Sequence, residues 1–225
     1  MPIYNVPLLF IDKKETRRYA GLQTAEFDEQ RIDAACQEAQ LLAHPQGSWE
    51  SYAYDDKAQT VLSPHPFLIK GDKIGQHLVG ADKVILLAAT VGGEIEAAVT
   101  RHFAEGDYAY SVLLDAAATA AVEQVADGME KAIYPHAAAQ GFVMRWRFSP
   151  GYGDWSIMQQ PEILRLSHGE NIGIRLTESL MLSPRKSITA IIGLVKGKGT
   201  IHCLQEPSLH GCAACSKLDC PSRCK

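Results

Sequence analysis

The sequence predicts an α+β fold, and three observations predict it. Helical and extended segments succeed one another without the regular strand–helix–strand beat of a doubly wound sheet. No internal repeat or low-complexity linker divides the chain. At 225 residues, 46% hydrophobic and 21% charged, it can bury one sizeable core, as one large domain or two small ones.

The elements follow in order. Residues 1 to 23 read as extended and then as a short polar helix, "DKKETRRYAGL", ending at Gly21. From Glu26 to Ala43, Phe27, Ile32, Ala35, Ala39 and Leu42 recur near helical spacing. "SWESYAYD" alternates like a strand, and "SPHPF" reads as loop. A helix is predicted through His77, then a buried strand at "KVILLAAT", a Gly-Gly turn, and a helix from Glu94 to Ala104. The strongest helix runs from Tyr108 to Ile133. Val122, Val125, Met129 and Ile133 line its apolar face, and Asp115, Thr119 and Glu123 form a polar stripe at intervals of four. A strand around "GFVMRWRFSPG", a helix "QPEILRLSHG" and a strand–turn–strand "SITAIIGLVKGKGTIHC" complete the reading.

The formal charge of −4 gives no electrostatic reason to expect a nucleic-acid partner. No apolar run is long enough to span a bilayer, and "MPIYNVPLLFIDKKE" has neither the basic start nor the cleavage site of a signal peptide, so a cytoplasmic protein is expected. Cys36 and Cys203 stand alone and read as packed or idle thiols. The other cysteines crowd the last fourteen residues, and in a reducing compartment such clustering points to metal or redox chemistry.

Several motifs fall short. "GLVKGKGTI" lacks the phosphate-loop spacing, and a hairpin turn explains its glycines better. "GQHLVG" holds only half of the D-x-H-x-x-G signature of cobalamin-binding domains, with Gly75 where the aspartate belongs. His77 therefore reads as a helix-surface or packing histidine. There is no G-x-S-x-G elbow and no H-E-x-x-H helix.

"RWRFSPGYGDWS", residues 145 to 156, is different. Two arginines, four aromatics, a proline and two glycines exceed what a plain surface turn needs. "RFSPGY" fits R-x-x-P-G-Y, and "IGIRLTESLMLSPRKSITAIIG" follows about twenty-five residues later. Together these resemble the reactivation domain of cobalamin-dependent methionine synthase, most clearly over residues 107 to 195 and only loosely over the first hundred. The resemblance implies one domain over 1–205, a curved antiparallel sheet flanked by helices, with a cysteine-rich tail at 206–225.

It also implies S-adenosylmethionine as ligand. Arg147 would take its α-carboxylate, since a guanidinium binds carboxylates bidentately. Backbone at Ser149, Pro150 and Gly151 would approach the adenine, and Tyr152 would offer a ring face and a hydroxyl. The resemblance takes an acid for the ammonium from the preceding long helix, where Glu123 matches. Glu178 of "LTES" would contact the ligand, orient a loop or cap a helix. Trp155 reads as core or partner-facing. The family's further tyrosine, downstream of "LTES", has no counterpart after Tyr152.

The implied function is reactivation of a corrinoid-dependent methyltransferase such as methionine synthase by reductive methylation, in methionine biosynthesis. The partner would supply cobalamin, and a flavodoxin-like donor or the cysteine-bound centre would supply the electron. Cys212, Cys215, Cys220 and Cys224, spaced C-x2-C-x4-C-x3-C, suit Zn2+ or an iron–sulfur cluster, and the spacing selects neither. Two alternatives stand beside this: a corrinoid-protein-binding or electron-delivery module without S-adenosylmethionine-dependent activity, and a zinc-bound scaffold.

Overall fold

The computed structural model describes residues 3–197. Asp12 caps α1 (Lys13–Tyr19), its carboxylate accepting from the Lys14 and Glu15 amides. Asp28 does the same for α2 (Glu29–Leu42). The first three strands are β1 (Gln46–Asp55), β2 (Thr60–Leu62) and β3 (Phe67–Leu68). The predicted loop "SPHPF" thus ends in a two-residue strand. Next come α3 (Asp72–Leu78) and β4 (Lys83–Thr90), followed by α4 (Glu94–Ala104), α5 (Tyr108–Ala139) and β5 (Phe142–Met144). Last are α6 (Gln160–Leu166), the small pair β6 (Arg175–Leu176) and β7 (Leu182–Ser183), and β8 (Ser187–Lys196).

Six strands form one sheet in the order β3-β2-β1-β4-β8-β5, and every neighbouring pair is antiparallel. This is the α+β architecture expected. β4 is its centre and is buried from Val84 to Thr90, which is why its sequence runs apolar instead of alternating. One face carries α5: Ile85, Leu87, Ala190 and Ile192 pack with Ile133 and Ala137. Further along the helix, Leu114, Ala121 and Val125 pack with residues of α2 and α4. On the opposite face Val84, Leu86 and Ile191 pack under Ile74, Ile163 and Trp155.

Gly47 and Gly128 let the α5 layer close. A Cβ on Gly47 would lie 2.2 Å from the Met129 sulfur, and one on Gly128 would lie 2.5 Å from Val6. Two boundaries differ from expectation. α5 continues past Ile133 through Pro135, because Ala137 is still buried against the sheet and that packing outweighs the bond proline removes. The strand expected over 141–151 is ladder only at Phe142–Met144, with an isolated bridge at Phe148. The "KGKG" turn, the strand after it, Cys203, the domain boundary at 205 and the four tail cysteines lie outside the described residues.

Candidate functional site

The residues that carry the R-x-x-P-G-Y pattern follow a bulge at the sheet edge. Met144 pairs with Leu194 and Phe148 with Ile191, so the segment spends four steps where β8 spends three. One extra residue changes the parity of the alternation. Met144 joins the cluster beneath α5, whereas Phe148 joins the cluster on the opposite face. Arg147, next to Phe148, is thereby delivered to α5.

There its guanidinium meets three carboxylates of one helix. Nη2 donates to Glu123 Oε2 at 2.7 Å, and Nη1 donates to Asp127 Oδ1 at 2.6 Å and to Glu130 Oε1 at 2.5 Å. The spacing i, i+4, i+7 puts the three acids on one helix face. Their side chains grade outward, from Glu130 at 16% exposed through Glu123 at 35% to Asp127 at 48%. Burial alone would lower the Arg147 pKa, but the carboxylates, Glu130 foremost, hold it above the ordinary arginine value. Burial raises the Glu130 pKa against the pull of Arg147.

The turn beyond is pinned from below. Gly151 adopts φ +90°, a left-handed conformation suited to glycine, and its N–H donates to the Trp155 carbonyl at 2.8 Å. The Tyr152 N–H donates to the Ser149 carbonyl at 3.2 Å, and Pro150 is buried. Asp154 reaches back to cap α3, whose own N-cap, Gly71, has no side chain; it accepts from the amides of Asp72 at 2.8 Å and Lys73 at 3.1 Å. Trp155 is 1% exposed and donates from Nε1 to Gln159 Oε1 at 2.6 Å, so it is core. His77 is a packing histidine: it is buried, donates from Nε2 to the Trp146 carbonyl at 2.9 Å, and lies tilted against the Trp146 ring with centroids 4.2 Å apart.

Tyr152 is 66% exposed, and its phenol pKa is raised by partial desolvation and by the nearby Glu123 carboxylate. From the other side, burial and then Glu123 push the Tyr19 phenol of α1 up to about 12. Glu123 thus lies within electrostatic range of both Tyr19 of α1, which packs on α5, and Tyr152 of the turn.

The structure brings together Glu123, Arg147 and Tyr152, with Ser149, Pro150 and Gly151 forming the turn between the last two. Glu178 is exposed in the β6–β7 loop, and no described hydrogen bond or ion pair ties it to this group. Arg147, expected to meet a ligand carboxylate, is instead already engaged by acids of the protein. The sequence reading missed Asp127 and Glu130. The signal was there: the polar stripe 115, 119, 123 continues at 127. Tyr19, far off in sequence, gave none. Two shallow hollows, of about 170 Å3 beside Cys36 and about 310 Å3 beside Phe67, lie elsewhere. Among the described residues no cluster of His, Cys, Asp and Glu is placed to hold a metal ion, and no helix is long and apolar enough to cross a membrane.

No protein-family model and no curated protein matches the chain. Among solved structures it is similar to a crystal structure of the MetH reactivation domain bound to AdoHcy. The TM-score is 0.57 at 15% identity, over 86% of this chain and 78% of that one. The fold is that of the reactivation domain.

Proposed function

We propose that this chain binds S-adenosylmethionine where the 147–152 turn meets α5 and serves as a reactivation factor for a corrinoid-dependent methyltransferase, methionine synthase being the best fit. One observation carries the reading. The R-x-x-P-G-Y turn, with its arginine and tyrosine brought to one acid, sits on a fold whose solved neighbour holds an adenosyl ligand. Glu123, Arg147 and Tyr152 surround the ligand, Ser149, Pro150 and Gly151 supply the close backbone, and Glu178, exposed in the β6–β7 loop, would reach the ligand from there. The methyl group passes from the sulfonium to the reduced corrinoid of a cytoplasmic partner protein, and the thioether remains. Sulfonium and corrinoid hold the reactivity, so the protein's task is to position, and no acid–base residue is needed. One electron is required, from a flavodoxin-like donor or from a centre on Cys212, Cys215, Cys220 and Cys224, with zinc as the redox-silent alternative.

Calorimetric titration with S-adenosylmethionine tests this, with Tyr152→Ala as the surface variant. Saturable binding weakened by that variant supports the reading; no binding at millimolar ligand, even with a corrinoid protein present, overturns it. A second reading draws on the engagement of Arg147 by its own helix and on the missing downstream tyrosine. In that reading the chain docks on a corrinoid protein and delivers electrons without using S-adenosylmethionine. Formation of S-adenosylhomocysteine with a reduced corrinoid partner excludes it.

A further inference from the structure

We infer that Asp154 is a positioning residue for the R-x-x-P-G-Y turn: by capping α3 from outside that helix, it makes α3 and the turn order as one unit. The consequence for ligand affinity rests on the adenosyl-ligand reading; the coupling itself does not.

α3 has only seven residues, and a helix so short is marginal unless its ends are held. Its own N-cap cannot hold it. Gly71 has no side chain and adopts φ +146°, and a Cβ there would lie 3.0 Å from the Ile74 side chain and 3.4 Å from the Asp154 carbonyl oxygen. The acceptor comes from the turn instead. Asp154 Oδ2 takes the Asp72 N–H at 2.8 Å and the Lys73 N–H at 3.2 Å, and Oδ1 lies 3.1 Å from the second.

The same segment holds the other end of α3. Arg145 Nη2 donates to the carbonyl of Val79, the C-cap, at 2.7 Å, and His77 meets the Trp146 carbonyl. Between these grips the chains approach closely. A Cβ on Gly153, which adopts φ +60°, would lie 2.9 Å from Lys73 Cδ. Gln159 adds a further tie, accepting from the Lys70 N–H at 2.9 Å and from the Trp155 indole.

Asp154 itself sits inside the bonds of the turn. The Gly151 N–H donates to the Trp155 carbonyl, and the Trp155 N–H donates to the Tyr152 carbonyl. Removing its carboxylate therefore frees the N-terminus of α3 and the backbone between Tyr152 and Trp155 together. Because Asp154 is exposed, its loss uncovers little core and the loosening stays local.

Amide hydrogen exchange of the full chain, read residue by residue, tests the coupling, and calorimetric titration with S-adenosylmethionine tests its consequence. In Asp154→Ala the amides of Gly75, Gly151 and Tyr152 should exchange about tenfold faster, the scale of a lost cap, while those of β4 stay protected. S-adenosylmethionine should bind at least about threefold more weakly, as the fraction of chains with an ordered turn falls. Asp154→Asn keeps an oxygen where Oδ2 stands and should restore both readouts. Asp28→Ala removes the same kind of cap from α2 and should loosen α2 while leaving the turn and the affinity unchanged.

Faster exchange in α3 with Gly151 and Tyr152 unchanged overturns the coupling. So does equal acceleration throughout the chain, or a failure of Asp154→Asn to restore protection. A loosened turn with unchanged affinity overturns the positioning role and leaves the adenosyl reading standing. If the unaltered chain does not bind S-adenosylmethionine, the adenosyl reading falls and the exchange data alone decide the coupling.

Discussion

The segment from Arg145 to Ser156 grips the molecule on two sides of the sheet, and the two grips differ in kind. On the α3 side it is aromatic and closed. Phe148, Trp155 and His77 pack together, the indole N–H has Gln159, and the imidazole has the Trp146 carbonyl. On the α5 side it is ionic and unbalanced, with one guanidinium among three carboxylates under a largely exposed tyrosine. A cluster whose indole and imidazole N–H groups are paired within the core serves stability. A half-buried cluster with excess charge does little for stability, and its field is available to a ligand.

The largest expected effect lies on the aromatic side. Trp155→Ala should cost about 3–5 kcal/mol, by loss of a fully buried ring and of its hydrogen bond to Gln159. Urea denaturation measures it, and a loss below about 1 kcal/mol would mean that this side is not the structural one.

The next effect is one of pH. Burial, and then the charge of Arg145, lower the His77 pKa from 6.5 to about 4, while its bond to the Trp146 carbonyl opposes the shift. The fold therefore favours neutral His77. Its contribution is complete above about pH 6.5 and is lost as pH falls toward 4, by up to about 3 kcal/mol. Stability measured at pH 7.5 and pH 4.5 should show a fall that His77→Gln makes shallower. An unchanged slope in that variant would place the titration elsewhere.

On the ionic side Arg147→Ala should cost about 2 kcal/mol, less than a fully buried pair, because Glu130 alone is left well inside. Adding Glu130→Gln should recover part of that loss. Recovery in thermal melts identifies the buried carboxylate as the source, and no recovery assigns the cost to packing of the arginine stem.

Tyr152→Ala, at the far end of the scale, should change stability by less than about 0.5 kcal/mol while weakening ligand binding. A variant that bound normally would remove Tyr152 from the site and erase the functional half of the comparison.

Periodicity found β4 at Lys83–Thr90 and α4 at Glu94–Ala104 as predicted, because both are bounded by clear breaks and packed along their whole length. It erred where long-range packing overrode local signals. Burial of Ala137 carried α5 past Pro135, and β3 and the β6–β7 pair are too short to repeat any period. The site shows the same split. The residue types around Arg147 could be read in the chain, since chemistry follows from side chains. The consequence of the bulge could not, because a strand's alternation fixes its faces only while pairing stays in step with β8.

By itself, then, the sequence determined an α+β chain, the buried central strand, the polar stripe on the long helix, and a turn rich in arginine and aromatic rings. These are local properties, set by side-chain polarity and by backbone preference at glycine and proline. Tertiary structure alone decided that one extra residue at the sheet edge would send Arg147 to α5. It alone decided that Asp127 and Glu130 would join Glu123 around the guanidinium, and that Tyr19, more than a hundred residues away, would come within electrostatic range of Glu123. Those outcomes depend on register and on which layer covers which face, and both are settled by burial of the whole core.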